Sequence, residues 1–361
     1  MVKELSVLFK DYKELFNSNV MLVAVEQDNY RLTSENVRLK FPLGLVGLTV
    51  SASVRTTDGS TVSDVLAISS LDNPADLPSI EELKKKVKDF ADNLMELKET
   101  PMIEEYYTGP VLFEGGAASR LFTDNLLSPG RLLALRTMAP ARGMLDEQLG
   151  RRIIDSRLTV KNYTTLAEYN GTPLFGCYEI DGDGVVPAAE LTLVENGVFK
   201  RMLNGRVPTL KAPESTGSAR FMISPDNPMA IVSPGTIHVQ ASKGVGPEKL
   251  KKALLKAAKE ADLEYAYIVR RIGGEASAVY KVNVKDGKEI RVRVNNLSAP
   301  ELTKLMDLKG ISSDERVMNY FPNGVPASLI YPSAIIVGDV EINRTTPKIE
   351  EEPVLKHPLQ R

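Results

Sequence analysis

The spacing of apolar positions changes several times along the chain, and each change marks an element. Leu5, Leu8, Phe9, Tyr12, Leu15 and Phe16 share one face at helical spacing, which predicts an opening helix. Residues 19–25 are expected as a strand, with 30–33 and 37–39 as short successors. Runs rich in β-branched residues over 46–55 and 61–69 flank Asp58-Gly59, a dipeptide that favours a tight hairpin. Ser79 and Glu82 have the reciprocal spacing of a capping box and predict a helix to about Leu97. Its buried stripe is Leu83, Val87, Phe90, Ala91, Leu94 and Met95. Thr100-Pro101 ends a first unit, because the proline biases the preceding residue away from helix.

The next stretch is the one around which the chain is organised. A short apolar run, 110–113, reads as a strand. The turn Glu114-Gly115-Gly116 then feeds a helix whose apolar positions are Ala118, Leu121, Phe122 and Leu126. The glycines permit a sharp turn and leave the first amides of the helix open to a carboxylate or to Glu114 itself. The plainer reading is a packing device. Residues 128–152 are rich in Pro, Gly, Met and Arg without a period, which suggests a mobile loop.

Residues 158–233 read as strands and turns, with Asp181-Gly182-Asp183-Gly184 and Asn196-Gly197 as turn formers. The acidic turn lacks the ligand series and closing glutamate of a calcium loop, so hairpin turns explain it. Ser215, Thr216 and Arg220 lie in a polar, flexible loop over 213–221. Their hydroxyls, amides and guanidinium suit a peptide carboxylate or backbone, although such clusters are also ordinary loops. A helix follows from Gly246-Pro247 to about Asp262, then a strand over 265–270 and a hairpin pairing 278–284 with 289–294. A strand pair over 328–337 and 339–343 precedes a polar, proline-containing tail. The expected class is α+β.

Composition narrows the chemistry. At 361 residues the chain has room for two domains, and its formal net charge of -2 gives no electrostatic case for direct nucleic-acid binding. One cysteine, Cys177, excludes an internal disulfide framework and a multi-cysteine zinc site. His238 and His357 are the only histidines and lie far apart, so the helical zinc-protease motif is absent. No run approaches the length needed to span a membrane, and the N-terminus lacks a signal-peptide pattern, so a soluble, cytoplasmic protein is expected.

Tyr107-Thr108-Gly109-Pro110-Val111-Leu112-Phe113-Glu114, the loop Ser215-Thr216-Gly217-Ser218-Ala219-Arg220, ENGVFKRML, SPGTIHV, YAYIVRR, VYKVNVKDGKEIRVR and PASLIYPSAII occur in an order that resembles the TldD/PmbA family. That family is also described as modulators of DNA gyrase and as peptidase family U62. The resemblance covers most of the chain. It implies a partial N-terminal α/β domain with an antiparallel sheet over 1–101, and a larger C-terminal domain of curved, mainly antiparallel strands over 102–361.

In the catalytic branch of the family, a His-Glu-x-x-x-His helix and a distant cysteine hold zinc, and a dimer encloses a peptide. Matching the motif places the first histidine at about Glu114, the glutamate at Gly115, the second histidine at Ser119 and the cysteine near Met318 or Asn319. None of the four groups is retained. The resemblance therefore implies a metal-free branch, with no cofactor and no catalytic residue expected. Such a member would bind peptide or protein as a homodimer, or as a heterodimer with a zinc-bearing relative. The candidate peptide-binding or relic-site residues are Glu114, Gly115, Gly116, Ser119, Ser215, Thr216 and Arg220. Two alternatives stand beside this reading. One is a peptide hydrolase acting through an unrecognised site, such as Cys177 or Ser119 with His238 as partner; the other is a regulatory or structural role related to gyrase.

Overall fold

The computed structural model describes residues 1–135, 145–224, 229–273, 276–294 and 297–344. The opening helix, α1 (Val2–Val7), is shorter than the sequence predicts and continues only as a 3-10 turn, Leu8–Asp11. Leu15 and Phe16 instead begin β1 (Leu15–Leu32), which joins two expected strands into one of 18 residues. It pairs antiparallel with β2 (Arg38–Arg55), which pairs in turn with β3 (Thr61–Ser70). Alternate residues of β2, Val46, Leu48, Val50, Ala52 and Val54, are buried. Those from Leu48 to Val54 join a core with Leu5, Phe9 and the apolar stripe of α2 (Ile80–Glu99). That alternation gives the sheet one covered face. Both arms of the predicted capping box form: the Glu82 carboxylate accepts from Ser79 N at 3.0 Å, and Ser79 Oγ accepts from Glu82 N.

Beyond α2 come β4 (Tyr107–Glu114), α3 (Gly116–Leu126) and β5 (Leu158–Tyr163). Short pieces follow: β6 (Glu168–Tyr169), β7 (Thr172–Pro173), β8 (Glu190–Glu195), β9 (Val198–Phe199), β10 (Ala219–Phe221) and β11 (Ala230–Val232). Then come β12 (Thr236–Ala241), α4 (Pro247–Glu260), β13 (Tyr265–Arg271), β14 (Ala278–Asn283) and β15 (Glu289–Val292). The last described elements are β16 (Gly310–Ile311), β17 (Glu315–Tyr320), β18 (Ala327–Pro332) and β19 (Ala334–Ile342). Much of 158–233 is thus irregular chain between short strands. Part of the loop expected over 128–152 and the tail beyond 344 lie outside the described residues.

Two six-stranded sheets result, in the orders β15-β14-β13-β4-β19-β16 and β17-β18-β12-β5-β8-β9. The fold is α+β, as expected. Both sheets are open and neither is strongly curled, and each includes one parallel pairing, β13 with β4 and β12 with β18. They share one core. Val111, Phe113, Tyr267 and Val269 from the first sheet meet Val160, Ile237, Val239 and Leu329 from the second, with Leu121 and Phe122 of α3 among them. Leu112 of β4 points the other way and packs with Leu250, Leu254 and Ala258 of α4. Ser333 alone separates β18 from β19, so the chain passes from one sheet to the other at that residue.

A buried arginine ties the N-terminal sheet to the first of these. Arg293 is 2% exposed; its Nε donates to Thr100 O at 2.9 Å, Nη1 to Ser60 Oγ at 2.9 Å, and Nη2 to the Asp58 carboxylate. Burial pushes the Asp58 carboxyl up, but hydrogen bonds from Ser60 and Thr56 and the Arg293 charge outweigh it and bring it down to about 2. Removing one partner leaves a buried charge uncompensated, so Arg293→Ala is expected to cost about 3–5 kcal/mol in urea unfolding. Because the Asp58 pKa is depressed in the folded state, its contribution is complete above the ordinary carboxylate range of about 4 and is lost as pH falls. The stability gap between the native chain and Asp58→Asn should accordingly narrow as pH falls from about 4 towards about 2.

Candidate functional site

The seven residues singled out in the sequence fall into two groups. Glu114 ends β4, and its carboxylate accepts from Arg270 Nε at 3.0 Å. Arg270 Nη2 donates to Glu289 at 2.8 Å, and Lys251 donates to the same carboxylate at 2.6 Å. The guanidinium also lies 4.4 Å from the Tyr280 ring centre. Burial pulls the Arg270 pKa down, but Glu114 and Glu289 outweigh it and hold it above the usual value. Glu114 is therefore one end of an ion chain that runs from the interior strand β4 through β13 to β15 and α4.

Gly115 turns the chain at φ +54° and ψ −125°, a conformation suited to glycine, and its N–H donates to Ser333 O at 2.8 Å. A Cβ there would lie 2.9 Å from Arg316 Nη1, so the guanidinium of β17 stands against the turn. Gly116 opens α3 with space around it; its nearest prospective contact is Arg270 O at 3.8 Å. Ser119 is buried, and its hydroxyl donates to Gly116 O at 2.8 Å.

The second group sits elsewhere. Ser215 and Thr216 line a cleft of about 330 Å³ with Lys200, Arg201, Lys211 and Glu214; Glu114, Ser119 and Arg220 are not among its lining residues. The Thr216 hydroxyl is occupied internally, donating to Asn204 O at 3.0 Å and accepting from Asn204 N at 2.7 Å. Ser215 Oγ accepts from Gly217 N at 3.1 Å. These hydroxyls shape the loop. Arg220 is buried beneath it, donating to Pro234 O at 2.7 Å and Pro326 O at 2.5 Å, with its guanidinium 4.4 Å from the Tyr178 ring centre. Burial lowers its pKa. Its partners are carbonyls and a ring, and it braces the loops from within.

His238 has a partner that sequence separation concealed. Its Nε2 lies 2.9 Å from Glu315, its Nδ1 lies 3.3 Å from Gln240 Nε2, and Tyr169 donates to the same glutamate. Burial raises the Glu315 pKa, but the hydrogen bonds from His238 and Tyr169 prevail and lower it. Neither Ser119 nor Cys177 is a partner of this imidazole, and the Ser119 hydroxyl is directed at a backbone carbonyl. Cys177 is an exposed free thiol. The nucleophile–histidine pairing of the hydrolase alternative is not formed. The acidic turn is also accounted for: Asp181 accepts from Asp183 N, Val185 N and Ala219 N, and Asp183 from Arg206 N.

An open mixed-sheet α+β unit entered through a strand, a glycine turn and a buried helix defines the class. A model of the PmbA/TldA metallopeptidase C-terminal domain matches residues 106–343, and the chain belongs to that family. Among solved structures it is similar to TldE from Thermococcus kodakarensis, at 15% identity and a TM-score of 0.58, covering 94% of this chain and 72% of that one. A candidate modulator of a DNA gyrase from Thermotoga maritima gives 15% identity and 0.59, over 95% and 73%. Another candidate gyrase modulator, from Bacteroides thetaiotaomicron, gives 14% and 0.56, over 93% and 71%. At these identities the likeness is one of fold. No curated protein matches the chain.

The side chains present do not suit the zinc that the family name implies. Of the positions matched to the motif, Glu114 is ion-paired, Gly115 offers no side chain, and Ser119 is turned to a carbonyl. Asn319 donates to Pro173 O and accepts from Ser328 Oγ. The cationic Arg316 guanidinium, which has no lone pair to offer a metal, approaches the turn. Among the described residues no group of three or more His, Cys, Asp or Glu could hold a metal ion.

The two glycines make opposite predictions. Gly115→Ala should cost about 1–3 kcal/mol, the usual range for a side chain forced into a sparsely populated backbone region. Gly116→Ala, with room for its Cβ, should be neutral or stabilise by about 0.4–1 kcal/mol through the unfolded state. Paired urea denaturation curves test both; equal effects would show that the turn geometry is not the constraint.

Proposed function

We propose that this chain is a metal-free member of its family that binds peptide or protein and works with a second subunit, without hydrolysing the peptide itself. The observation that carries this reading is Glu114, paired to Arg270 at the position where the resemblance calls for a zinc ligand. Metal catalysis needs ligands, an open position and a base, and a carboxylate committed to a guanidinium supplies none of these freely. An N-terminal unit over 1–101, a family unit over 102–361 and a cytoplasmic setting belong to the same reading.

The cleft beside Ser215 is the proposed peptide contact. Lys200, Arg201 and Lys211 outnumber Glu214 among its lining residues, which favours an acidic peptide or a terminal carboxylate. Lys200 already has an exposed ion pair with Glu195 at 3.1 Å, so a ligand would compete for it.

Elemental analysis of protein purified without chelator is expected to find no stoichiometric zinc in the native chain or in Glu114→Ala. Stoichiometric zinc lost in that variant would overturn the metal-free reading. Fluorescence anisotropy with a labelled acidic peptide should show binding that weakens with salt. It should weaken roughly tenfold when Lys200, Arg201 and Lys211 are all changed to Ala, at about 0.5 kcal/mol per exposed contact. An unchanged affinity would move the peptide site elsewhere.

A further inference from the structure

The cleft beside Ser215 has two kinds of wall, and together they narrow what it can hold. One is apolar. Met202 is 3% exposed and belongs to the core shared by the two large sheets, and Leu191 and Ala212 pack against that core. Val186, which lines the same cleft, is 74% exposed and offers uncovered apolar surface. Covering such surface is favourable in proportion to its area, so this wall suits an aliphatic group.

The other wall is cationic, but less so than its three basic side chains suggest. Lys200 is ion-paired with Glu195 at 3.1 Å, and Glu214 lines the cleft as well. Among the described residues Arg201 and Lys211 have no ion pair, and Glu214 offsets one of them, which leaves a single uncompensated positive charge. A run of acidic residues would meet Glu195 and Glu214 along with the cations. One carboxylate matches the balance.

At about 330 Å³ the cleft stands at the small end of ligand sites, so the anion and the apolar group must come from one small unit. The last residue of a polypeptide is such a unit, because its carboxylate and its side chain share one Cα. An internal Asp or Glu spends its side chain on the charge, and on an extended chain its neighbours point to the opposite face. The apolar wall would then stay empty.

We infer that the cleft recognises the C-terminal residue of a peptide, its aliphatic side chain against Met202, Leu191 and Val186 and its free carboxylate held by Arg201 and Lys211. The inference rests on the proposed peptide cleft and names the part of the peptide that enters it. The shared chemistry is an α-carboxylate beside an aliphatic side chain, which a free amino acid also carries. Its ammonium would add a positive charge to a cleft that already has one in excess, which favours the peptide end.

The test is fluorescence anisotropy of the full chain with N-terminally labelled glycine–serine peptides ending in leucine, leucine amide or glycine. The leucine acid should bind roughly tenfold more tightly than the amide, which lacks the charge, and than the glycine acid, which lacks the side chain. In the double variant Arg201→Ala/Lys211→Ala, both positions being exposed, acid and amide should bind alike while leucine stays preferred over glycine. N-acetyl-leucine should displace the labelled peptide, and free leucine should do so far less well. Free leucine competing equally would assign the site to amino acids and overturn the peptide end. Equal binding of acid and amide by the native chain, with loss in the double variant, would also overturn the inference but leave the cleft a site for internal acidic side chains. Affinity untouched by the double variant would remove the peptide from this cleft altogether.

Discussion

Arg293 is the group on which the arrangement of the molecule depends. A guanidinium 2% exposed must be paired where it lies, and its partners come from outside the strand that precedes it. Asp58 and Ser60 belong to the β2–β3 turn, and Thr100 to the end of α2. Satisfying one buried charge therefore fixes the N-terminal sheet against the strand end at Val292. The backbone reinforces it, with Arg293 N bonded to Pro101 O at 2.8 Å and Ile103 N to Arg293 O at 3.0 Å. The side chain and the main chain both set this junction, and neither can shift without exposing the other's polar groups.

The far end of the β1–β2 arm is held by different contacts. Arg206 donates to Glu35 at 2.6 and 3.1 Å. Gln27 donates to Met222 O at 3.2 Å and accepts from Ser224 N at 2.9 Å, and the Phe41 ring packs at a tilt against Phe221 with centres 5.1 Å apart. The arm is anchored at both ends, and its middle, around Leu22, carries exposed apolar side chains. Exposed apolar groups there are consequently not a sign of a loose strand. They lie on one whose register is set from Asn17 to Leu32.

Local chemistry was legible in the sequence where one turn or one helix end decided it. Ser79 and Glu82 made their capping box, and Asn196-Gly197 turns β8 into β9 with both residues at positive φ. What the sequence concealed depends on long separations. Leu15 and Phe16 fit a helical face, yet seventeen register positions with β2 outweigh that local preference and draw them into a strand. Glu114 meets Arg270 and His238 meets Glu315 only because parallel and crossed strand orders bring them together. No spacing rule reports such pairs. Arg220 was readable as a cation but not as a buried brace, because burial is a property of the fold around it.

The same contacts bear on how the proposed cleft is held. The β1–β2 arm grips the segments flanking the cleft: Glu35 holds Arg206, five residues from Arg201, and Gln27 holds Met222 and Ser224 beyond the Ser215 loop. Within the loop, Thr216 is bonded to Asn204, and Tyr178 donates to Gly217 O at 2.9 Å while stacking beneath Arg220. The cleft wall is thus assembled from loops that are hydrogen-bonded to one another and, through Met222 and Ser224, to Gln27 of β1. A binding surface made in this way gains its shape from a fixed mount, as loops on rigid scaffolds do. Here the mount is the β1–β2 arm, through Gln27 and Glu35.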